Sequence, residues 1–377
     1  MHPRGGPTHR AHLLGLATAV PEYIARQQDA KALLASLLSA GTSGGEPGTD
    51  WSRLLPVFDH GGIETRRLCM PLDWYAADHS FGERNDRYLE HALALSAEAA
   101  SRALERAKLS PRDVDHIVFV SSTGIATPSL DASIANRLGF RPDVRRTPIW
   151  GLGCAGGVAG LARARDFAVA SPGARVLLVA VELCSLAFQR RERSKRNLVA
   201  ASLFADGAAA AVVTSEPFGA PAAPTGSGAA TLAIEASGST LWPETLDVMG
   251  WETDGDGLHV VFSRDIPAIV RGWVRESVDH FLERQGTRLS EIGHVVSHPG
   301  GMKVLEAYQE ALSLPAEAFR HARDILRERG NMSSPTCLFV LERFLESGAI
   351  APGDRALLTA LGPGFSAEYV LMRGVPA

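Results

Sequence analysis

Cys154 lies in the run IWGLGCAGGVAGLARARDFAVA, residues 149–170. Ile149 and Trp150 read as the end of a buried strand. Gly151, Gly153, Gly156 and Gly157 remove side chains from around the sulfur, and the stretch after them, rich in Ala, Leu and Arg, reads as a helix. Cys154 therefore sits at a strand-to-helix turn, at or near a helix N-terminus. Unpaired N–H groups and the positive end of the helix dipole favour a thiolate there. A thiolate is the nucleophilic form, and small neighbours let a substrate carbonyl approach it. A buried structural cysteine packed as a small hydrophobe is the alternative reading of the same run.

Two further residue types complete a chemical set. His298 ends the strand-like run HVVSHPGG, and Pro299, Gly300 and Gly301 free the backbone after it. An imidazole at such a strand end can face a cleft, although most of the 12 histidines belong on the surface or in a satisfied core. Asn331 lies in RGNMSSPTCLFVLERFL, at a turn before an apolar helix. It reads equally as an N-cap or turn residue, a role that Ser333 or Ser334 could also fill.

The elements that must position these residues alternate between strand and helix, which implies α/β layers. HIVFVSST (116–123) and ARVLLVAVEL (174–183) read as strands, the second covered on both faces. GAAAAVVT (207–214) reads as a strand whose alanines leave helix open. HALALSAEAASRALERAKL (91–109) has helical apolar spacing and ends at Leu109-Ser110-Pro111. EPFGAPAAPTGSGAA (216–230) is the best boundary, dividing the chain into 1–220 and 221–377. Beyond it come TLAIEASGST as a strand, DIPAIVRGWVRESVDHFLERQG as a long helix, IGHVVSH as a strand and LERFLESG as a helix. DRALLTALGPGFSAEYVLMRG reads as a final strand pair around a turn. The second half repeats the style of the first, which predicts two similar halves in a five-layer αβαβα arrangement.

Composition narrows the function classes. With 377 residues, 45% of them hydrophobic and 21% charged, the chain can bury a sizeable core. A net charge of -4 gives no electrostatic case for nucleic acid. Cys69, Cys154, Cys184 and Cys337 show no CxxC spacing, which argues against a zinc site or a disulfide framework and fits a reducing cytoplasm. The first ten residues are polar and no apolar stretch follows them, so no signal peptide is expected. No apolar run is long enough to span a bilayer.

GCAGGVAGL, HPGGMKVLEA, GNMSSPTCLFVLE and LGPGFSAEYVL occur in this order. Together they resemble the thiolase-fold condensing enzymes, and among them the type III polyketide synthases, the chalcone-synthase-like family. SLFADGAAAAVV resembles a further family segment. The resemblance implies that Cys154 takes up a starter acyl thioester and that His298 partners the thiolate. It implies that His298 and Asn331 donate hydrogen bonds to the malonyl thioester carbonyl while CO2 leaves. Phe204 matches a Phe that guards the junction of the CoA tunnel and the chain cavity, and reads equally as core filler. Gly362 and Gly364 match the loop that shapes the cyclisation cavity.

The departures from the plant pattern matter. Val260 stands where a second gatekeeper Phe is found, Ala187 replaces a Thr of the cavity lining, and Thr127 stands where plant members carry a Met that reaches across the dimer interface. A smaller, more apolar lining suits an alkyl chain better than a coumaroyl ring. DVMGWETDGDGLHVVFSRDIP is similar to the bacterial branch that makes alkylresorcinols and alkylpyrones. Arg66 and Arg67 are the local candidates for CoA phosphates, and both could be plain surface charges. The resemblance thus implies a cytoplasmic homodimeric acyltransferase. It would use fatty acyl-CoA and malonyl-CoA, with no metal or redox cofactor. A priming β-ketoacyl synthase that condenses once, or an inactive acyl-CoA-binding relative, are the rivals.

Overall fold

The computed structural model describes residues 9–39, 51–217 and 231–376. The first half opens with β1 (His9–Ala19), β2 (Tyr23–Arg26), α1 (Gln27–Ser39), α2 (Val57–His60), β3 (Thr65–Leu68) and the long helix α3 (Phe81–Arg106). It continues with β4 (His116–Val120), α4 (Leu130–Leu138), β5 (Arg145–Ile149), α5 (Gly156–Ala170), β6 (Val176–Leu183), α6 (Lys195–Leu203) and β7 (Asp206–Pro217). The second half begins with β8 (Thr231–Leu241), the hairpin β9 (Met249–Asp254) and β10 (Gly257–Phe262), and α7 (Ile266–Arg284). It ends with β11 (His294–Ser297), α8 (Met302–Leu312), α9 (Arg320–Arg329), α10 (Thr336–Glu346), β12 (Arg355–Gly362) and β13 (Ser366–Val375).

The internal repetition is explicit in the strand order. The first half is ordered β1-β7-β6-β4-β5 and the second β8-β13-β12-β11, so the sequential strands of each half occupy matching places. The senses match too. β1 and β7, and β7 and β6, are antiparallel, whereas β6, β4 and β5 are parallel. In the second half β8 and β13, and β13 and β12, are antiparallel, and β12 and β11 are parallel. A short antiparallel pairing of Ala11–Leu13 with Leu232–Ile234 joins the halves into one nine-stranded sheet. α5 and α10 pack on each other and on strands of both halves, α3 covers the outer face of the first half, and α7 and α8 cover that of the second. This is the five-layer arrangement expected of a thiolase-like fold. The expected division at 220/221 falls between β7 and β8, within 218–230, outside the described residues.

Strand period fixes the layers. In β7, Ala208, Ala210 and Val212 face the α3 side, while Ala209, Ala211 and Val213 face the α5 side. Burial on both faces makes this alanine run a strand. α3 begins well before the expected helix, because Ser80 and Glu83 form a capping box: Glu83 N–H donates to Ser80 Oγ at 3.2 Å and Ser80 N–H to Glu83 Oε2 at 2.8 Å. One expectation is corrected. Ile149 and Trp150 do not end a buried strand, since β5 is the outer strand of the sheet and Trp150 is 57% exposed. Among the described residues no helix is long and apolar enough to cross a membrane.

Candidate active site

Cys154 is carried by a one-turn 3-10 segment, Gly153–Ala155, that runs directly into α5. Gly153 has φ +45°, a left-handed conformation that favours glycine. Gly151 is left-handed as well and stands in open space, whereas Gly156 and Gly157 serve packing more than access to the sulfur. A Cβ on Gly157 would lie 2.1 Å from Ser334 O and 2.7 Å from Cys337 Sγ. The first turn of α5 therefore lies directly on the start of α10, which brings the two halves together beneath Cys154. On the other side, a Cβ on Gly362 would meet Leu152 O and Ala155 Cβ, each at 2.6 Å. The loop 362–364 thus backs the nucleophile turn.

Burial pushes the Cys154 thiol up to about 11. Hydrogen bonding from Ser333 and Asn331 favours the thiolate, and the nearby Glu182 opposes it. Burial therefore works against the thiolate that the helix terminus favours. His298 is buried and, with no ionic partner, is pushed down to about 3. Neither of its ring nitrogens has a hydrogen-bond partner among the described residues. The expected His298–thiolate hydrogen bond is thus not formed. Two unsatisfied buried nitrogens are costly, and a carbonyl oxygen or a thiol in the cavity would satisfy them.

His298 is fixed by its backbone, whose N–H donates to Thr359 O at 2.9 Å at the end of the β11–β12 pair. Asn331 is oriented by two bonds: Ser333 N–H donates to its Oδ1 at 2.8 Å, and its Nδ2 donates to Gly300 O at 3.3 Å. The amide NH2 is therefore turned toward the His298–Gly300 loop, with one N–H left for a ligand.

Glu182 was not singled out from sequence. It is fully buried in β6 and accepts from Ser122 N–H at 2.9 Å, Thr123 Oγ1 at 2.7 Å, Ser334 Oγ at 3.0 Å and Ser121 Oγ at 3.4 Å. Burial raises its carboxyl to about 7 despite these donors. Ser122 also accepts from Gly151 N–H at 3.2 Å and Gly153 N–H at 3.4 Å, so the carboxyl anchors the loop that supports Cys154. The signal in the sequence was one acid at the end of an otherwise apolar strand.

Cys154, His298 and Asn331 line one cavity of about 1430 Å³, counting its open mouth. A second, mostly apolar cavity of about 630 Å³, counting the open space at its mouth, is lined by Phe204, Val260 and Ala187, with Leu33, Leu34 and Leu37 of α1. The two share walls. Ser202 and Leu203 face the first and Ala200 and Phe204 the second; Met249 and Phe262 face the first and Trp251 and Val260 the second. Phe204 packs against Phe262 and Trp251 at ring-centroid distances of 5.6 and 6.1 Å. Gly362 and Gly364 lie on the wall of neither cavity. Thr127 is exposed in the loop that also exposes Ile125, away from both.

Arg66 is corrected as a phosphate candidate. It is buried and donates to Ala201 O at 2.7 Å and Phe204 O at 2.8 Å, which tethers the end of α6. Arg67 donates to Pro21 O at 3.3 Å and Glu22 O at 3.1 Å. The basic side chains that do line the first cavity are Lys195, Arg264 and Lys303.

Comparison with known proteins gives consistent matches. The family "Chalcone and stilbene synthases" matches with its N-terminal domain at residues 74–217 and its C-terminal domain at 233–376. A "1,3,6,8-tetrahydroxynaphthalene synthase" of Streptomyces peucetius subsp. caesius is 41% identical over 94% of this chain and 91% of its own. A "Putative chalcone synthase" of Bacillus subtilis is 39% identical over 96% of this chain and 98% of its own. The crystal structure of the tetrahydroxynaphthalene synthase of Streptomyces coelicolor, a bacterial type III polyketide synthase, superposes with a TM-score of 0.88. It covers 97% of this chain and 100% of that one, at 30% identity.

Proposed function

The chain belongs to the chalcone and stilbene synthase family of type III polyketide synthases, acyltransferases that use acyl-CoA and malonyl-CoA, and from that premise we propose that its starter is a fatty acyl-CoA. Cys154 would hold the acyl group, malonyl-CoA would extend it, and cyclisation would give an alkylpyrone or alkylresorcinol. The observation that carries this reading is the second cavity. Its walls are leucines, alanines, Phe204 and Val260, and it lies against the cavity of Cys154, where an acyl tail can be buried.

The chemistry follows from the geometry. A starter thioester would seat its CoA phosphates near Lys195, Arg264 and Lys303 and its carbonyl beside Cys154. His298 would take the thiol proton as Sγ attacks, and pass it to the departing CoA sulfur. Ser333 and Asn331 would share the charge on Sγ. Malonyl-CoA would then place its thioester oxygen against one ring N–H of His298 and the Asn331 NH2. Loss of CO2 moves the electron pair onto that oxygen, where the two donors stabilise the enolate more than the ground state. The enolate carbon would attack the acyl carbonyl on Cys154, forming a carbon–carbon bond and expelling Sγ.

A homodimer is part of the same proposal. β5 leaves one edge of the sheet open, and Ile125 and Trp150 are exposed beside it. A second copy seated there would bring Thr127 near the partner's site. A cytoplasmic location is supported by four free cysteines.

Similarity to tetrahydroxynaphthalene synthases favours one alternative, an aromatic product that carries no alkyl chain. Mass spectrometry of products from malonyl-CoA alone, and with a fatty acyl-CoA, separates the two. The proposal predicts products only with the acyl-CoA, each heavier by its alkyl chain. Equal output from malonyl-CoA alone would overturn it, and a single linear β-keto product would favour a priming synthase.

A further inference from the structure

The hairpin β9–β10 is a two-stranded sheet separate from the nine-stranded one. Such a hairpin is marginally stable by itself, so side contacts must set its position. Strand alternation gives it two faces. Val260 and its cross-strand partner Trp251 point into the apolar cavity, and Phe262 and Met249 into the catalytic one. His259, the residue before Val260, points the other way.

His259 is held at both ring nitrogens. Nδ1 lies 2.8 Å from Glu192 Oε2, in the segment leading to α6, and Nε2 lies 2.9 Å from Asp254 Oδ1 on β9. Carboxylates only accept, so both contacts are hydrogen bonds only when the ring is the doubly protonated imidazolium. The surrounding charges are Glu192, Asp254, the cross-strand Glu252 and Arg196 of α6. Arg196 bridges Glu192 at 3.1 Å and Glu252 at 3.1 Å. Ser194 Oγ also donates to Glu192. The remaining anchors grip the tip: Gln189 Nε2 donates to Leu258 O at 2.8 Å, and Arg84 donates to Asp256 O.

We propose that His259 is a positioning residue for chain-length selection. Clamped between Glu192 and Asp254, it pins the hairpin against the start of α6 and so sets how much room the apolar cavity has between Phe204 and Val260. The inference rests on reading that cavity as the seat of a fatty acyl chain. Burial opposes the charge on His259, but Glu192 and Asp254 outweigh it, so its pKa is raised above the ordinary 6.5. The clamp is therefore closed at acid pH and is lost as pH rises through that raised value. Release lets the hairpin swing outward, and longer starters then fit more readily.

The test compares the full-length wild type with His259→Gln, which keeps a donor but cannot titrate. Hydrogen–deuterium exchange of the hairpin amides, corrected for intrinsic rates, is read at about pH 6 and about pH 8.5. Extension of octanoyl-CoA and hexadecanoyl-CoA in competition is read at the same two values. In the wild type, hairpin protection should fall about fivefold toward the alkaline value, the order expected of a half-buried ion pair. The long-to-short product ratio should rise with it. Both should be flat in H259Q, and α5 amides should be unaffected in either protein. A wild-type hairpin indifferent to pH, or the same response in H259Q, would overturn the proposal. So would a hairpin that loosens without changing the ratio. If the hairpin responds but neither acyl-CoA is extended, the latch stands as a device of the hairpin, while its role in chain selection and the fatty-starter reading both fail.

Discussion

Phe204 and Asn331 are tied together through their backbones. Asn331 N–H donates to Leu203 O at 2.9 Å, and Ala205 N–H donates to Asn331 O at 2.8 Å, a parallel bridge between the α6–β7 link and the turn before α10. The side chain that walls the apolar cavity and the amide that faces the catalytic one are therefore set by one piece of backbone. Arg66 reinforces it through the carbonyls of Ala201 and Phe204. A shift of one would displace the other, so tail binding and chemistry are expected to be coupled.

The two donors should be separable by step. Asn331→Ala should still allow Cys154 to take up the starter, yet lower malonyl decarboxylation and elongation by about 10²–10³. His298→Ala should impair both steps, because in the proposed mechanism it also accepts the thiol proton. An acylation assay run beside CO2 release measures the two steps independently. A folded Asn331→Ala protein that cannot be acylated would contradict the assignment.

Val260 faces the apolar cavity beside Phe204 and Trp251. Val260→Phe should shorten the accepted starter by filling that space. Product profiles from mixed acyl-CoA chain lengths are the readout, and an unchanged profile would show that the tail lies elsewhere.

Glycine positions should divide by what a methyl group would meet. Gly157→Ala should destabilise the protein by about 1–3 kcal/mol, because its Cβ would collide with Ser334 O. Gly272→Ala, exposed in α7 with nothing within 4 Å, should stabilise it by about 0.5–1 kcal/mol. Thermal denaturation of the two variants should give shifts of opposite sign; shifts of the same sign would contradict the contact argument.

Glu182 should leave a pH signature in stability. Its carboxyl is raised from the ordinary 4.5 to about 7, so between these values the folded protein holds a proton that the unfolded chain has lost. Stability should therefore fall as pH rises through this window, by roughly 3 kcal/mol from this group. Glu182→Gln should remove that slope. Denaturant titrations at the two ends of the window test it, and an unchanged slope in the variant would assign the effect to other groups.

Much of this was legible in the sequence, and the misses have physical causes. The apolar runs at 116–120 and 176–183 became central strands because continuous hydrophobicity suits a strand covered on both faces. The alanine run of β7 could not be decided locally, since only tertiary burial on both faces makes it a strand. Cys154, His298 and Asn331 were found through their motifs, and the structure brings them to one cavity. Their protonation was not legible, because the helix dipole is local whereas desolvation depends on everything packed around the site. Glu182, the role of Gly157 and the burial of Arg66 all depend on contacts between segments more than a hundred residues apart, which no local pattern encodes.

The most direct test of the central claim is intact-protein mass spectrometry after incubation with a fatty acyl-CoA, before malonyl-CoA is added. The account predicts a mass increase equal to one acyl group, mapped by peptide digestion to Cys154 and absent in Cys154→Ala. It predicts the increase to persist in variants of Cys69, Cys184 and Cys337, and to disappear on adding malonyl-CoA as alkylated polyketide forms. An unmodified Cys154 in a protein that still makes product, or an acyl group carried on another cysteine, would contradict it.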